Sequence, residues 1–157
     1  MMRYLALLAF PLVLAACTTE PNRCEPANPS DPATEVFAPS LNIDLSTWSK
    51  TPSGVYTQDV VVGTGQTLSQ PTIVDVYYVA YLPNGKVVDQ QLQRPFNMNL
   101  ATISAFGVLD GMLGMNVGGR RRLVVPSELA LGACGTGPIP PNSTLVYEIE
   151  LLDIPAT

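Results

Sequence analysis

Gly107-Val108-Leu109-Asp110-Gly111, Gly114-Met115-Asn116-Val117-Gly118-Gly119-Arg120-Arg121-Arg122-Leu123-Val124-Val125-Pro126 and Pro140-Pro141-Asn142-Ser143-Thr144-Leu145-Val146-Tyr147-Glu148-Ile149-Glu150-Leu151-Leu152 decide the reading of this chain. In the last run Leu145, Tyr147, Ile149 and Leu151 alternate with Glu148 and Glu150. That period of two predicts a strand over residues 144–154 with one face buried. A second strand is expected over 120–125. Residues 102–113 are the one helical candidate. Gly107 and Gly111 weaken it by roughly 1 kcal/mol each relative to alanine, so packing must hold it.

Working towards the N-terminus, residues 55–62 read as a strand ended by Gly63-Thr64-Gly65. Residues 72–82 form another, with Val74, Val76, Tyr78 and Ala80 on one face. Pro83-Asn84-Gly85-Lys86 predicts a hairpin turn with positive φ at both Asn84 and Gly85. The chain returns through 87–89, and a separate short strand is expected over 95–100. Mostly antiparallel strands around one short helix make an α+β domain, with no internal repeat and no transmembrane span.

The chain begins differently. Arg3, an apolar run over residues 5–14 and Leu14-Ala15-Ala16-Cys17 have the order of a secretory signal peptide, too short to span a membrane as a mature helix. The Leu-Ala-Ala-Cys ending resembles the lipobox of bacterial lipoproteins, with cleavage before Cys17 and lipid on that cysteine. The alternative is an ordinary cut near Ala16 that leaves a free thiol. Thr18, where an inner-membrane retention signal would carry Asp, favours the outer membrane. Residues 1–16 are thus the signal, and residues 17–52 a proline-rich tether and arm ahead of a domain over 53–157. The first part of the tether reads as a linker holding the domain some tens of ångströms from a surface. Leu41, Ile43, Leu45 and Trp48 belong to an arm that packs on the domain or offers a strand to a partner.

Loss of the signal removes Arg3 and leaves 7 basic against 13 acidic side chains, a net charge near −6 that argues against nucleic acid. With Cys17 acylated, Cys24 and Cys134 either pair, in an oxidising compartment, or remain two thiols. The sequence has no histidine, which removes Ser-His-Asp and Cys-His catalysis and most transition-metal sites. Gly63-Thr64-Gly65 lacks the following Lys-Ser/Thr and helix of a phosphate loop. Asp110, Glu148 and Glu150 have no paired-carboxylate spacing and read as solvated. Arg120-Arg121-Arg122 reads as a solvated sheet edge that discourages aggregation. No metal and no cofactor are expected.

Together with Ser53-Gly54-Val55-Tyr56, Val62-Gly63-Thr64-Gly65, Val76-Tyr77-Tyr78, Leu82-Pro83-Asn84-Gly85-Lys86-Val87-Val88-Asp89 and Pro95-Phe96, the opening motifs resemble FKBP-type peptidyl-prolyl cis-trans isomerases, in a bacterial lipoprotein form. The resemblance covers roughly residues 53–154. It implies a curved antiparallel β-sheet wrapped around one short α-helix, here preceded by an extended tether, with an apolar pocket between sheet and helix. It also implies isomerisation of Xaa–Pro bonds in proline-containing unfolded or exported polypeptides. The implied location is the periplasmic face of the outer membrane, with Cys17 as the anchor. Residue by residue, Tyr78 corresponds to a tyrosine beside the proline pocket, Asp89 to the aspartate accepting its hydrogen bond, and Phe96 to a pocket phenylalanine. Ser104 and Ala105 fall on an aliphatic pair whose backbone N–H binds a substrate carbonyl. Ile139 matches a pocket isoleucine, and Tyr147 replaces a phenylalanine.

Three positions depart from the family. Val88 replaces a phenylalanine, Val108 the tryptophan of the pocket floor, and Leu131 a tyrosine that donates a hydrogen bond to substrate. The departures imply a wider floor, partly filled by Tyr147 or Phe106, with weaker activity and poor binding of macrolide inhibitors. A degenerate domain that binds proline-containing segments as a chaperone or assembly factor is the non-enzymatic alternative. A purely structural lipoprotein with a collapsed pocket is the other.

Overall fold

A computed structural model describes Cys24 and residues 29–156. The signal segment, Cys17 and most of the linker lie outside the described residues. The chain forms one six-stranded sheet from β1 (Ser49–Lys50), β2 (Tyr56–Val61), β3 (Ile73–Tyr81), β4 (Val87–Asn99), β5 (Arg120–Val125) and β6 (Leu145–Asp153), with one helix, α1 (Phe106–Met112). All neighbours are antiparallel, in the order β1-β2-β5-β6-β3-β4.

The alternation in the sequence decides which face each side chain takes. Val74, Val76, Leu123, Leu145, Ile149 and Leu151 are fully buried in the core shared with α1. At seven residues α1 is shorter than the 102–113 expectation, and its two glycines have a tertiary cause. A Cβ on Gly107 would lie 2.4 Å from Val125 Cγ1, and one on Gly111 would lie 2.7 Å from Leu123 Cδ2. Glycine weakens this helix in isolation yet lets it sit close against β5.

Three expectations are corrected. The 3₁₀-type bond from Gly85 N–H to Leu82 O (2.9 Å) and the bond from Leu82 N–H to Lys86 O (2.9 Å) enclose a three-residue loop. Only Gly85 has positive φ (84°), so Pro83 and Asn84 form an ordinary turn closed by a left-handed glycine. Residues 87–89 and 95–100 are not separate strands. They belong to the single β4, interrupted where Leu92–Pro95 loops out between the Val76↔Phe96 and Tyr78↔Gln91 pairs. Pro95 lacks an N–H and is tolerated at such an interruption.

The third correction concerns Arg120-Arg121-Arg122. β5 lies between β2 and β6, so these residues are not on a sheet edge. Arg121 forks onto Asp59 at 2.6 and 3.1 Å, and its other nitrogen donates to Gly111 O (2.9 Å) and Leu113 O (3.1 Å). It thereby satisfies carbonyls at the C-terminal end of α1, which the helix itself cannot. Arg122 faces the opposite side of the sheet. There it donates to Leu41 O and to Asn42 O (3.3 Å), lies 3.2 Å from Glu148, and sits 5.2 Å from the Trp48 ring centre.

The arm is part of the folded unit. Leu41 and Trp48 are buried with Val124 and Val146 in a second apolar cluster, on the face of the sheet away from α1. Docking extends back towards the linker. The Ser30 hydroxyl is 2.6 Å from Thr144 Oγ1, and Ser30 N–H donates to Ser127 Oγ at 3.2 Å. Cys24 is joined to Cys134 by a disulfide closing a separation of 110 residues. The arm expected from Leu41, Ile43, Leu45 and Trp48 thus packs on the domain, and its docking reaches back to Ser30.

Candidate active site

Tyr78 leaves β3 on the helix side of the sheet, and its hydroxyl donates to Asp89 Oδ2 at 2.8 Å. A bulge aims that acceptor. Ala80 pairs with Asp89 and Tyr81 with Val87, so Val88 is the extra residue on β4. Strict alternation would send Val88 and Asp89 to opposite faces. Instead Val88 packs against the core beneath α1 while Asp89 meets Tyr78. Re-aiming one side chain is what such bulges do.

The Leu92–Pro95 interruption has a parallel effect. It restores the register so that Phe96 faces Val76, one pair along the strand from Tyr78. The two rings meet edge to face, centres 5.7 Å apart and planes at 65°, an arrangement favoured by the ring quadrupoles. Phe96 stays 38% exposed, so its outer surface is open to a ligand. The Tyr78 phenol is pushed well above its ordinary value, first by burial and then by the hydrogen bond and charge of Asp89. It therefore remains a neutral donor.

The remaining positions divide. Ala105, at the start of α1, and Ile139 are buried in the core cluster against which Tyr78, Val88, Leu131 and Tyr147 pack. Ile139 also lines a cleft of about 430 Å³ with Cys24, Cys134, Pro140 and Pro141. Ser104 is exposed. Val108 has 0% exposure, so it supports the wall from behind and offers no surface to a ligand. The expected wider floor is not found at Val108. Phe106 is 63% exposed and does not fill a floor either. Sequence reasoning missed Arg121, which ties the end of α1 to β2 and β5. The signal for it is an arginine two residues before the buried run Leu123–Val125 and on the face of Leu123, a pattern that reads as surface from charge alone.

Among the described residues no group of three or more His, Cys, Asp or Glu side chains could hold a metal ion. The site thus consists of an aromatic corner, one satisfied carboxylate and an aliphatic wall. Such a site can bind an apolar ring and fix a chain beside it, and it has no nucleophile or proton-transfer pair.

The family model described as FKBP-type peptidyl-prolyl cis-trans isomerase matches residues 65–152. FK506-binding protein 4 of Dictyostelium discoideum is 41% identical over 103 residues, covering 64% of this chain and 28% of that protein. FK506-binding protein 4 of Neurospora crassa is 40% identical over 107 residues, covering 67% and 23%. The chain spans about a quarter of the length of these curated relatives. Among solved structures, FkpA from Escherichia coli superposes with a TM-score of 0.65 at 35% identity, covering 70% of this chain and 53% of FkpA. The peptidyl-prolyl cis-trans isomerase of Pseudomonas syringae pv. tomato gives 0.64 at 34% identity, covering 69% and 81%. Because the match runs through the sheet, the helix and both closing motifs, this chain belongs to the FKBP-type peptidyl-prolyl cis-trans isomerase family.

Proposed function

We propose that the domain catalyses cis–trans isomerisation of Xaa–Pro bonds in exported polypeptides. The observation that carries this reading is the Tyr78–Asp89 hydrogen bond with Phe96 edge-on beside it. The uncatalysed rotation meets a barrier of about 18–20 kcal/mol because the planar amide loses resonance. In the twisted state the carbonyl is less polar. A pocket that replaces water with aromatic and aliphatic walls favours that state over the planar one. Asp89, already satisfied by Tyr78, adds no unpaired charge to the wall. Tyr78, Asp89 and Phe96 form the working corner, Val88, Ile139 and Tyr147 border it, and Ser104-Ala105 offers backbone to the chain.

Exchange NMR on a short peptide with one Leu–Pro bond tests the proposal. Cis–trans exchange should accelerate with substoichiometric protein, and Phe96→Ala should lower kcat/KM by about tenfold, for a loss of roughly 1–2 kcal/mol of transition-state contact. A second reading is a non-catalytic proline-segment binder. It is favoured by Leu131, which has no hydrogen to donate. Peptide binding without faster exchange would select it.

We further propose the lipoprotein form, anchored through Cys17 to the periplasmic face of the outer membrane and acting on proline-containing chains nearby. Leu14-Ala15-Ala16-Cys17 after the apolar run supports this. Labelled palmitate should enter the full-length protein expressed in a bacterium and vanish in Cys17→Ser. Label that persists in the variant rules the anchor out.

A further inference from the structure

Tyr147 carries a hydroxyl that no part of the mechanism above uses. It lies on β6 opposite Ala80, which in turn lies opposite Asp89 on β4. Residues paired directly across an antiparallel sheet share a face. Tyr147, Ala80 and Asp89 thus form a row on the helix side, and Ala80 has only a methyl group to separate the ring from the carboxylate. The Tyr147 ring is half-buried against the core under α1.

Its oxygen has no hydrogen-bond partner among the described residues. Tyr78 holds Asp89 Oδ2. The only side-chain nitrogen or oxygen there that is both fully enclosed and unpartnered is Arg122 Nε. The Tyr147 oxygen is not one of these enclosed atoms and keeps some contact with solvent. Burial first, and then the Asp89 charge, push its phenol up to about 12, so it stays protonated at any working pH. A half-buried donor with no acceptor among the described residues can exchange water for a carbonyl of a bound ligand.

Leu131 sharpens the point. It packs on the same core, at the position where the resemblance places a substrate-binding tyrosine, and cannot donate. We propose that the Tyr147 hydroxyl donates a hydrogen bond to a backbone carbonyl flanking the proline of the bound segment. The anchor lost from the loop at 131 is thereby supplied from the sheet at 147. This rests on the isomerase reading for the pocket it uses. The flanking carbonyl, rather than that of the rotating amide, is the partner consistent with catalysis. A donor on the rotating carbonyl would favour its more polar planar state and slow the reaction.

The test uses Tyr147→Phe, Leu131→Tyr and the double variant, with NMR titration for Kd and exchange NMR for rates on one Leu–Pro peptide. Phenylalanine keeps the ring and is the residue the family uses, so an unchanged Tm should accompany each effect. Tyr147→Phe should raise Kd and KM about 3- to 10-fold, the range for one neutral hydrogen bond, with kcat changed less than about twofold. Adding Leu131→Tyr should restore affinity. Unchanged Kd and KM in Tyr147→Phe overturn the proposal, as does a defect that Leu131→Tyr leaves uncorrected, which would be packing alone. Should the wild-type protein fail to accelerate exchange while Tyr147→Phe still weakens peptide binding, the donor stands and the isomerase reading falls.

Discussion

Replacing Gly63 with alanine should lower stability by about 3 kcal/mol, near the upper end for a single overpacked site. A Cβ there would lie 2.4 Å from the carbonyl oxygens of both Asn116 and Val117, and 2.5 Å from the Gly119 nitrogen. These are backbone atoms and cannot turn aside as a side chain would. They also hold the loop after β2 to the loop before β5. Gly65 N–H donates to Val117 O (3.0 Å), Val117 N–H to Gln66 O (2.9 Å) and Leu68 N–H to Met115 O (2.8 Å), while Asn116 Nδ2 donates to Gly63 O (3.0 Å). Moving either loop breaks several of these bonds together. Gly118 is the control: nothing lies within 4 Å of its Cβ position, but its φ is +82°. Gly118→Ala should cost only the left-handed strain, about 1–2 kcal/mol. Urea melts of both variants give the comparison, and a Gly63→Ala midpoint no lower than that of Gly118→Ala would refute the packing argument.

Reduction of the Cys24–Cys134 bond is expected to have an effect of similar size. Its separation of 110 residues constrains most of the unfolded chain. The chain-entropy model gives a contribution of up to about 4–5 kcal/mol for a loop of that length. For a domain of this size that is a fall in Tm on the order of 10 °C or more. The arm should stay docked after reduction, because Leu41, Trp48 and the Ser30 hydrogen bonds hold it independently. Thermal melts with and without dithiothreitol, and of the Cys24→Ser/Cys134→Ser double variant, measure it. A shift under about 2 °C in both would mean that the cross-link adds nothing to what docking already secures.

Much of the site is legible once the motifs are matched to a family. Tyr78, Asp89 and Phe96 come from the family resemblance of their motifs, and the structure brings them to one corner. Val108 and Phe106 were less legible, because their motif gives their place in α1 and not their exposure. Val108 faces the core from the inner turn, while Phe106 points outward from the first. The arginine run was misread for a related reason. Charge pattern says nothing about where a strand stands in the sheet order, and β5 became interior only through pairing with β2 and β6. The Asn84-Gly85 dipeptide suggests a two-residue turn, whereas the Leu82–Lys86 bond closes a loop of three, Pro83 to Gly85.

By itself, the sequence determined the strands on either side of the helix, the buried face of each and the family. A period-two apolar pattern, or a motif of fixed spacing, is a local property that survives without knowledge of partners. Only the tertiary structure decided that Val88 and Asp89 share a side, that docking of the arm reaches back to Ser30, that Arg121 closes the helix, and that the Tyr147 hydroxyl finds no hydrogen-bond partner among the described residues. Each depends on register or contact between separate segments that strand pairing and packing bring together. Such relations are set by how the whole core closes, which no window of sequence contains.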